Sequence, residues 1–451
     1  MRQNLLETYS RQLKVAEAYV AKNFEGKTMS SNTALTTAVL LDNTNRWITE
    51  SLSNEIGASN RGDMGAWKKF CLNLTNIAVP SLIANDLVIV HPMTSYSGSV
   101  AYLEYVSLTN KGGIKARETV FNSVFKHGEM DEARQNFTSQ VVVETIGKDG
   151  ALAFEEGAEG TGLTIKVGGF KYLAEDSHAP MTATYRVNGK YVNELTGIKE
   201  GDKVAYIIDR FQMEEVPATE IPSIGPRMKH IPLVAEPRRI AVRYDQITAF
   251  QAKTDYGFSL DKQIAEQACG ELAYEIDTEI VAMLKDGADK GTNADELKAL
   301  TWSKTLPVGV SKFEHYNGFL EVVEMAKAII YNRTKKFHPN YMVIASDILP
   351  VLRFVNGFTA VKNAKMNGPY KVGELDGLNV YVSPIMKKGE FFMGLNGNDM
   401  MSSAGVYAPY MAIVPTQLLG TPDGGMAQGF STWYAKALLN ESLLIKGCIV
   451  D

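Results

Sequence analysis

The spacing of apolar positions changes character along this chain. Residues 1 to about 60 are mostly polar, with Asn, Ser and Thr clusters at 30–37 and 43–45 and short helical patterns such as Leu5, Leu13, Ala16 and Val20. That texture suits an arm that needs a partner surface, and suits a floppy tail equally well. From Trp67 the apolar density rises to Leu87-Val88-Ile89-Val90, which predicts a buried strand stopped by His91-Pro92. Residues 95–106 read as a turn and then a strand. Residues 110–137 are charged and contain glycine, as in an extended excursion from a core.

Between 140 and 237 the period shortens. Strands are predicted at 141–146, 163–173, 181–187 and 204–209, separated by turns at 157–160 and Asn188-Gly189. Pro217, Pro222, Pro226, Pro232 and Pro237 close the segment with a stiff extended run. Together these describe a β-rich insertion.

The best-defined helix is predicted at 259–286, capped by Ser259, with Asp261 in its first turn and Gly287 as its stop. Its apolar ladder is Leu260, Ile264, Ala268, Leu272, Ile276, Ile280 and Leu284. A strict spacing of four drifts by ~40° per step, so the stripe winds and the two helix ends must face different neighbours. Glu271, Glu275 and Glu279 form an i, i+4 run, each pair costing ~0.2–0.5 kcal/mol unless a base lies opposite. Either this is a solvated acidic face, or a basic partner lies on an adjacent subunit. Ser311-Lys312-Phe313-Glu314 is a capping box opening a second helix, with Phe313, Tyr316, Leu320, Val323, Ala326 and Ile330 on its packed face. Residues 341–345 predict a buried strand and 375–382 a hairpin. Helices and strands alternate without a parallel-sheet rhythm, which favours an α+β fold.

Composition narrows the function. A length of 451 residues is about three domain-sized units, and 45% hydrophobic with 22% charged residues is ordinary for a folded chain. The net charge of −5 gives no basic footprint for sequence-specific nucleic-acid binding. Cys71, Cys269 and Cys448 are odd in number and far apart, so they read as packed thiols in a reducing compartment. Residues 1–20 lack the apolar run of a secretory signal, and no stretch approaches the ~20 apolar residues of a membrane span.

Chemistry-bearing motifs are sparse. A phosphate-cradling Gly-x-x-x-x-Gly-Lys loop, a His-Glu-x-x-His pair and a Gly-x-Ser-x-Gly elbow are all missing from the sequence. Gly157, Gly160 and Gly162 are misordered for a dinucleotide fingerprint. His91, His127 and His338 sit beside Pro, Gly and Pro in predicted turns, and Glu155-Glu156 and Glu214-Glu215 suit solvation. Asn-x-Ser/Thr matches at Asn73, Asn136, Asn332 and Asn440 are read as chance. No catalytic, cofactor-binding or metal-binding residue is therefore expected, and the chain reads as something other than an enzyme.

Several segments in order carry a resemblance. They are Ile77-Ala78-Val79-Pro80-Ser81-Leu82-Ile83-Ala84-Asn85-Asp86 running into Val90-His91-Pro92-Met93-Thr94-Ser95; Arg238-Arg239-Ile240-Ala241-Val242-Arg243-Tyr244; and Glu275-Ile276-Asp277-Thr278-Glu279-Ile280 within the helix. Tyr341-Met342-Val343-Ile344-Ala345-Ser346 and Ser403-Ala404-Gly405-Val406-Tyr407-Ala408-Pro409-Tyr410 follow. In this order the chain resembles the major capsid proteins of tailed bacteriophages of T-even-like myovirus type. It departs from the family pattern at His91-Pro92-Met93 and Tyr96-Ser97-Gly98, and residues 140–237 have no counterpart.

The resemblance implies an α+β fold of Hong Kong-97 type. Its implied layout is an N-terminal arm (1–66), the start of a peripheral domain (67–94), an extended loop (95–139) and the β-rich insertion in or beside that loop (140–237). The peripheral domain would resume with the spine helix (238–335), followed by an axial domain (336–402) and a return to the peripheral domain (403–451). It further implies self-assembly through hexamers and pentamers into a virion head, built in the host cytoplasm, that encloses double-stranded DNA without reading its sequence. Scaffold, portal and vertex or decoration proteins would be partners, and no membrane. Relatives of this type are often trimmed after an Ile/Leu-x-Glu sequence; Ile48-Thr49-Glu50 fits, so either the match is incidental, the favoured reading, or this sequence is an uncleaved form. The insertion would brace neighbouring subunits or act as a display module. A nanocompartment shell, an α+β enzyme and a tail-tube or sheath protein are the rivals.

Overall fold

The structure, a computed structural model, describes residues 2–23, 29–54, 71–108 and 223–450 apart from 73, 77, 81, 258–259, 335, 362–367, 398, 417–418 and 421–424. It also describes 117, 119–121, 140–145, 185–187, 190–192 and 203–208. The chain forms two compact units, Met1–Val100 with His230–Asp451, and Ala101–Lys229.

The first unit is organised by one helix, Leu260–Gly291. Its 32 residues make a rod of ~48 Å. It runs past Gly287, the stop expected from sequence. A β-carbon at Gly287 would lie 2.8 Å from Leu438 Cδ1 and from Leu444 Cδ1, so this glycine is a close-packing position within the helix. The predicted cap Ser259 lies outside the described residues, as does the side chain of Asp261.

The winding stripe divides its contacts as its period requires. Ala265, Ala268, Cys269 and Leu272 pack with Leu74, Ala78, Ile413 and Phe430. Ile276, Ile280, Leu284 and Ala288 instead enter a larger core with Phe319, Tyr341, Phe391 and Phe392. At ~25 cal/mol per Å² of buried apolar surface, a continuous stripe of this kind contributes far more than helix propensity does.

Those two clusters belong to two sheets. The five-stranded sheet runs in the order Ile89–Val90, Gly405–Pro415, Gly425–Leu438, Leu419–Gly420, with Glu236–Asp245 also paired to Gly425–Leu438. The expected strand at 87–90 is shorter than predicted, because Ala84–Leu87 is a helical turn whose first amide, that of Ala84, donates to Asp277 Oδ1 at 3.0 Å.

The seven-stranded sheet is mixed. Its order is Thr301–Ser303, Ile445–Val450, Glu390–Gly394, Tyr341–Ile344, Leu378–Val382, Tyr370–Leu375, Phe358–Ala360. The hairpin expected at 375–382 turns at Asp376 and Gly377, both with positive φ, the geometry that matches strand twist in a two-residue turn.

The second predicted helix starts at its capping box, with the Glu314 amide donating to Ser311 Oγ at 3.2 Å and the Ser311 amide to Glu314 Oε2 at 3.3 Å. It breaks at Gly318 into Lys312–Asn317 and Phe319–Thr334. Val323, Ala326 and Ile330 are buried as expected, whereas Phe313 is 50% exposed.

The N-terminal segment is helical at Arg2–Thr8, Ser10–Asn23 and Ser31–Asn54. Its partner surface lies within its own chain. Leu40 clusters with Val79 and Ala412, and Asn43 Nδ2 donates to the carbonyls of Met93 at 2.8 Å and Tyr410 at 2.7 Å. Ile48-Thr49-Glu50 lies inside the third of these helices, with Ile48 buried.

In the second unit the chain runs out along Ser97–Ser107 and back along Ile224–Val234, neighbours in a three-stranded sheet with Thr119–Phe121. Between them Gln140–Thr145, Lys203–Ile208, Tyr185–Val187 and Lys190–Val192 form, in that spatial order, a four-stranded antiparallel sheet. Val187 pairs with Lys190 across the predicted Asn-Gly position. The predicted strand at 163–173 and the turn at 157–160 lie outside the described residues. Helices and strands mix in an α+β fold, as the resemblance implied.

Candidate functional site

The features that give this chain mechanical character are the ties between the long helix and the two sheets. Glu279 lies on the long helix opposite the strand pair Glu236–Asp245 and Gly425–Leu438. Its Oε1 accepts from Arg238 Nε at 2.9 Å, and its Oε2 accepts from Tyr434 Oη at 2.8 Å and Lys436 Nζ at 2.7 Å. Residues 434 and 436 share one face of their strand because side chains alternate. Burial pushes the Glu279 carboxyl up, but the hydrogen bonds from Arg238, Lys436 and Tyr434 outweigh it and hold it at about 2. The acidic run thus resolves in part. Glu279 meets bases of its own chain, and Glu271 and Glu275 remain exposed.

Two turns further on, a second tie reaches the seven-stranded sheet. Lys285 and Asp289 are one turn apart on one helix face. Lys285 Nζ lies 2.8 Å from Glu390 Oε2; Lys446 Nζ lies 2.9 Å from Glu390 Oε1 and 2.8 Å from Asp289 Oδ1. Glu390 is 9% exposed. A charge that far from water is tolerated because both its oxygens are paired with cations. Burial raises the Glu390 carboxyl, and the hydrogen bonds from Lys285 and Lys446 bring it below its ordinary value.

Sequence reasoning missed this second network. Its signals were Lys285 and Asp289 at i, i+4 and a glutamate heading the apolar run Glu390-Phe391-Phe392-Met393. Arg238 entered through the resemblance alone, without its partner.

The residues weighed for chemistry have structural places. Cys71 and Cys269 are buried and Cys448 half-buried, all three free, and burial pushes the thiols of Cys71 and Cys269 up to about 12. Such thiols are unreactive near neutrality. His315 stacks on Trp302 at 4.8 Å, and His338 on Tyr331 at 4.7 Å. Asn440 is buried, its Oδ1 accepting from the Ser442 amide at 3.0 Å. Among the described residues no group of three or more His, Cys, Asp or Glu side chains is placed to hold a metal ion, and no helix is long and apolar enough to cross a membrane.

Comparison with known proteins gives a consistent result. The profile of the family described as "Major capsid protein Gp23" matches residues 64–446. The major capsid protein of Escherichia phage AR1 is 22% identical over 388 residues, covering 80% of this chain and 73% of that protein. That of Enterobacteria phage T4 matches with the same identity and coverage. Among solved structures, a chain of Microbacterium phage Oxtober96 aligns over 82% of this chain and 90% of its own, at 10% identity and a TM-score of 0.40, a distant likeness that carries no argument.

Proposed function

As this chain belongs to the family of the major capsid protein Gp23 and is a shell protein of a bacteriophage head, we propose that it assembles through hexameric and pentameric rings into a closed icosahedral shell around double-stranded DNA. The observation that carries this is the family match itself, which spans the long helix and nearly all of both sheets. The physical case is compatible with it. A helix of ~48 Å held by ion pairs at two places makes a stiff subunit, as expected of a part that bears load. A net charge of −5 suits a wall that contains DNA and does not grip it.

On this reading residues 1–66 are the arm, 95–139 the extended loop and 140–237 its β-rich insertion. Residues 67–94, 238–335 and 403–451 form the peripheral domain, and 336–402 the axial domain, into whose sheet the strand Ile445–Val450 is also paired. Ring contacts between copies are head-to-tail, and the angle between rings provides closure. Scaffold and portal proteins belong to the same proposal, as partners during assembly in the host. The insertion braces neighbouring subunits.

Negative-stain imaging of the purified assembly tests the proposal. Closed icosahedral particles containing DNA support it. Particles filled with protein cargo would indicate a nanocompartment, helical polymers a tail component, and small soluble oligomers with no shells an α+β protein of another kind.

Removal of residues 1–50 is expected to leave a subunit that folds but closes few shells. The deletion uncovers Val79 and Ala412 and leaves the carbonyls of Met93 and Tyr410 without Asn43. That cost is modest beside the main core, which among the described residues holds none before Leu82. Circular dichroism of the truncated subunit and a particle count by electron microscopy check both halves; shells at the full-length yield would refute the arm's role in assembly.

A further inference from the structure

Arg238, Arg239 and Arg243 stand on one strand, Glu236–Asp245, but not on one face. Side chains alternate along a strand, so Arg238 faces the long helix and Glu279 while Arg239 and Arg243 face the other way. Both are exposed, as is Ala241 between them. Four residues of extended chain set the two arginines ~13 Å apart.

Their surroundings are small and uncharged. Across the ladder Arg239 is paired with Ser431, Ala241 with Gly429 and Arg243 with Ala427, and residues so paired share a face. Two residues beyond Ser431, the Trp433 ring lies under the Arg239 guanidinium at 5.8 Å. The carboxylates at the two ends of the strand are engaged elsewhere. Glu236 Oε2 accepts from Arg238, and Asp245 Oδ1 accepts from the Ile247 amide at 3.3 Å. Among the described residues neither Arg239 nor Arg243 has a carboxylate partner, although the chain as a whole carries an acidic excess of −5.

One unpaired surface arginine is ordinary. Two on one side of a floor made of Ala241, Ala427, Gly429 and Ser431 form a flat cationic strip, and nothing on that floor stands in the way of a close approach. The strip fits a smooth, extended polyanion. Duplex DNA carries one negative charge per ~1.7 Å of its axis, so its charge lies wherever it is touched. The ~13 Å between the arginines is close to the ~12 Å width of the major groove, so both can reach phosphates of one duplex.

We propose that the face of Arg239 and Arg243 is where this chain touches the phosphate backbone of the enclosed double-stranded DNA. Guanidinium-to-phosphate contacts carry no sequence information, and two per copy hold the duplex loosely within a wall whose remaining charge repels it. The proposal rests on the reading of a DNA-filled shell and adds to it the residues that meet the DNA.

The test places a photo-cross-linking residue between the arginines, Ala241→p-benzoylphenylalanine, in the full chain assembled into particles. Irradiation, nuclease digestion and mass spectrometry are expected to find nucleotide adducts at position 241. Adding Arg239→Ala and Arg243→Ala should lower the adduct yield about tenfold, the loss that two phosphate contacts imply, and lysine at both positions should restore most of it. Removing the same charge elsewhere on the surface, with Lys312→Ala and Lys387→Ala, should leave the yield unchanged. DNA-filled shells with adducts to protein alone, or an equal loss from the lysine pair, would overturn the cationic strip and leave the shell standing. If no particles form, the soluble chain is irradiated with a purified duplex. Adducts at 50 mM salt that fall about tenfold by 200 mM would then keep the strip and overturn the shell, and no adducts would overturn both.

Discussion

Glu279→Ala is expected to lower the unfolding free energy of the subunit by about 1–2 kcal/mol, since the cluster is multiply bonded but only half-buried and partly screened by water. The substitution takes this acceptor from Lys436 and the Tyr434 hydroxyl and leaves Arg238 with Glu236 and the Pro237 carbonyl. Because the carboxyl is held at about 2 against an ordinary 4.5, its contribution has a defined pH window. It is fully present above about 4.5 and is lost as the pH falls from there toward 2. Glu390 is lowered in the same direction, so both ties weaken together on acidification. Urea unfolding at pH 7 and at pH 3 should therefore show a large gap between the unmodified chain and Glu279→Gln at the higher pH and a narrowed one at the lower. An equal gap at both would show that the ion pairs contribute little beyond packing.

Gly389→Ala should cost still more, ~3–5 kcal/mol, by adding a clash to an unfavourable backbone. Gly389 has φ +74°, and a β-carbon there would lie 2.2 Å from the Ile449 carbonyl oxygen. Its amide donates to Asp347 Oδ2 at 2.9 Å, and its carbonyl accepts from the Ile449 amide at 2.7 Å, so relief requires the strand Ile445–Val450 to move off Glu390–Gly394. Gly377→Ala is the matched control. It shares a positive φ of +77° but meets nothing within 4 Å, so strain alone remains, at ~1–2 kcal/mol. Comparable losses at the two positions would mean that the close approach to Ile449 is readily absorbed.

The fold was most legible where periodicity and burial coincide. The ladder from Ala268 to Leu284 predicted both the long helix and its passage between different neighbours, because a spacing of four cannot stay on one side of a 3.6-residue helix. The hairpin at Asp376-Gly377 was legible for a similarly local reason. Failures arose where a residue's role is set from a distance. Gly287 looks like a stop and is a groove for Leu438 and Leu444, which lie far along the chain. Phe313 fits a helical stripe but stands in its first turn, where the core no longer reaches it, although Tyr316 one turn on is buried. Glu279 meets Arg238 and Lys436, and Glu390 meets Lys285 and Lys446, only once the sheet concerned has formed on the helix, and nothing in their local spacing says which charge faces which.

The position of the strand Ile445–Val450 bears on how the protein is made. It lies between Thr301–Ser303 and Glu390–Gly394, interior to the seven-stranded sheet, and Lys446 completes the charge pairing of Glu390. A ribosome that has reached residue 440 has thus produced all the other strands of that sheet, and five of them can pair, but Thr301–Ser303 cannot be joined to them until Ile445–Val450 is made. Pairings as distant in sequence as Thr301 with Cys448 and Ile89 with Val406 are slow to form for the same reason. A nascent or prematurely terminated chain is consequently a poor building block, and the competence to join a growing wall arrives late in synthesis.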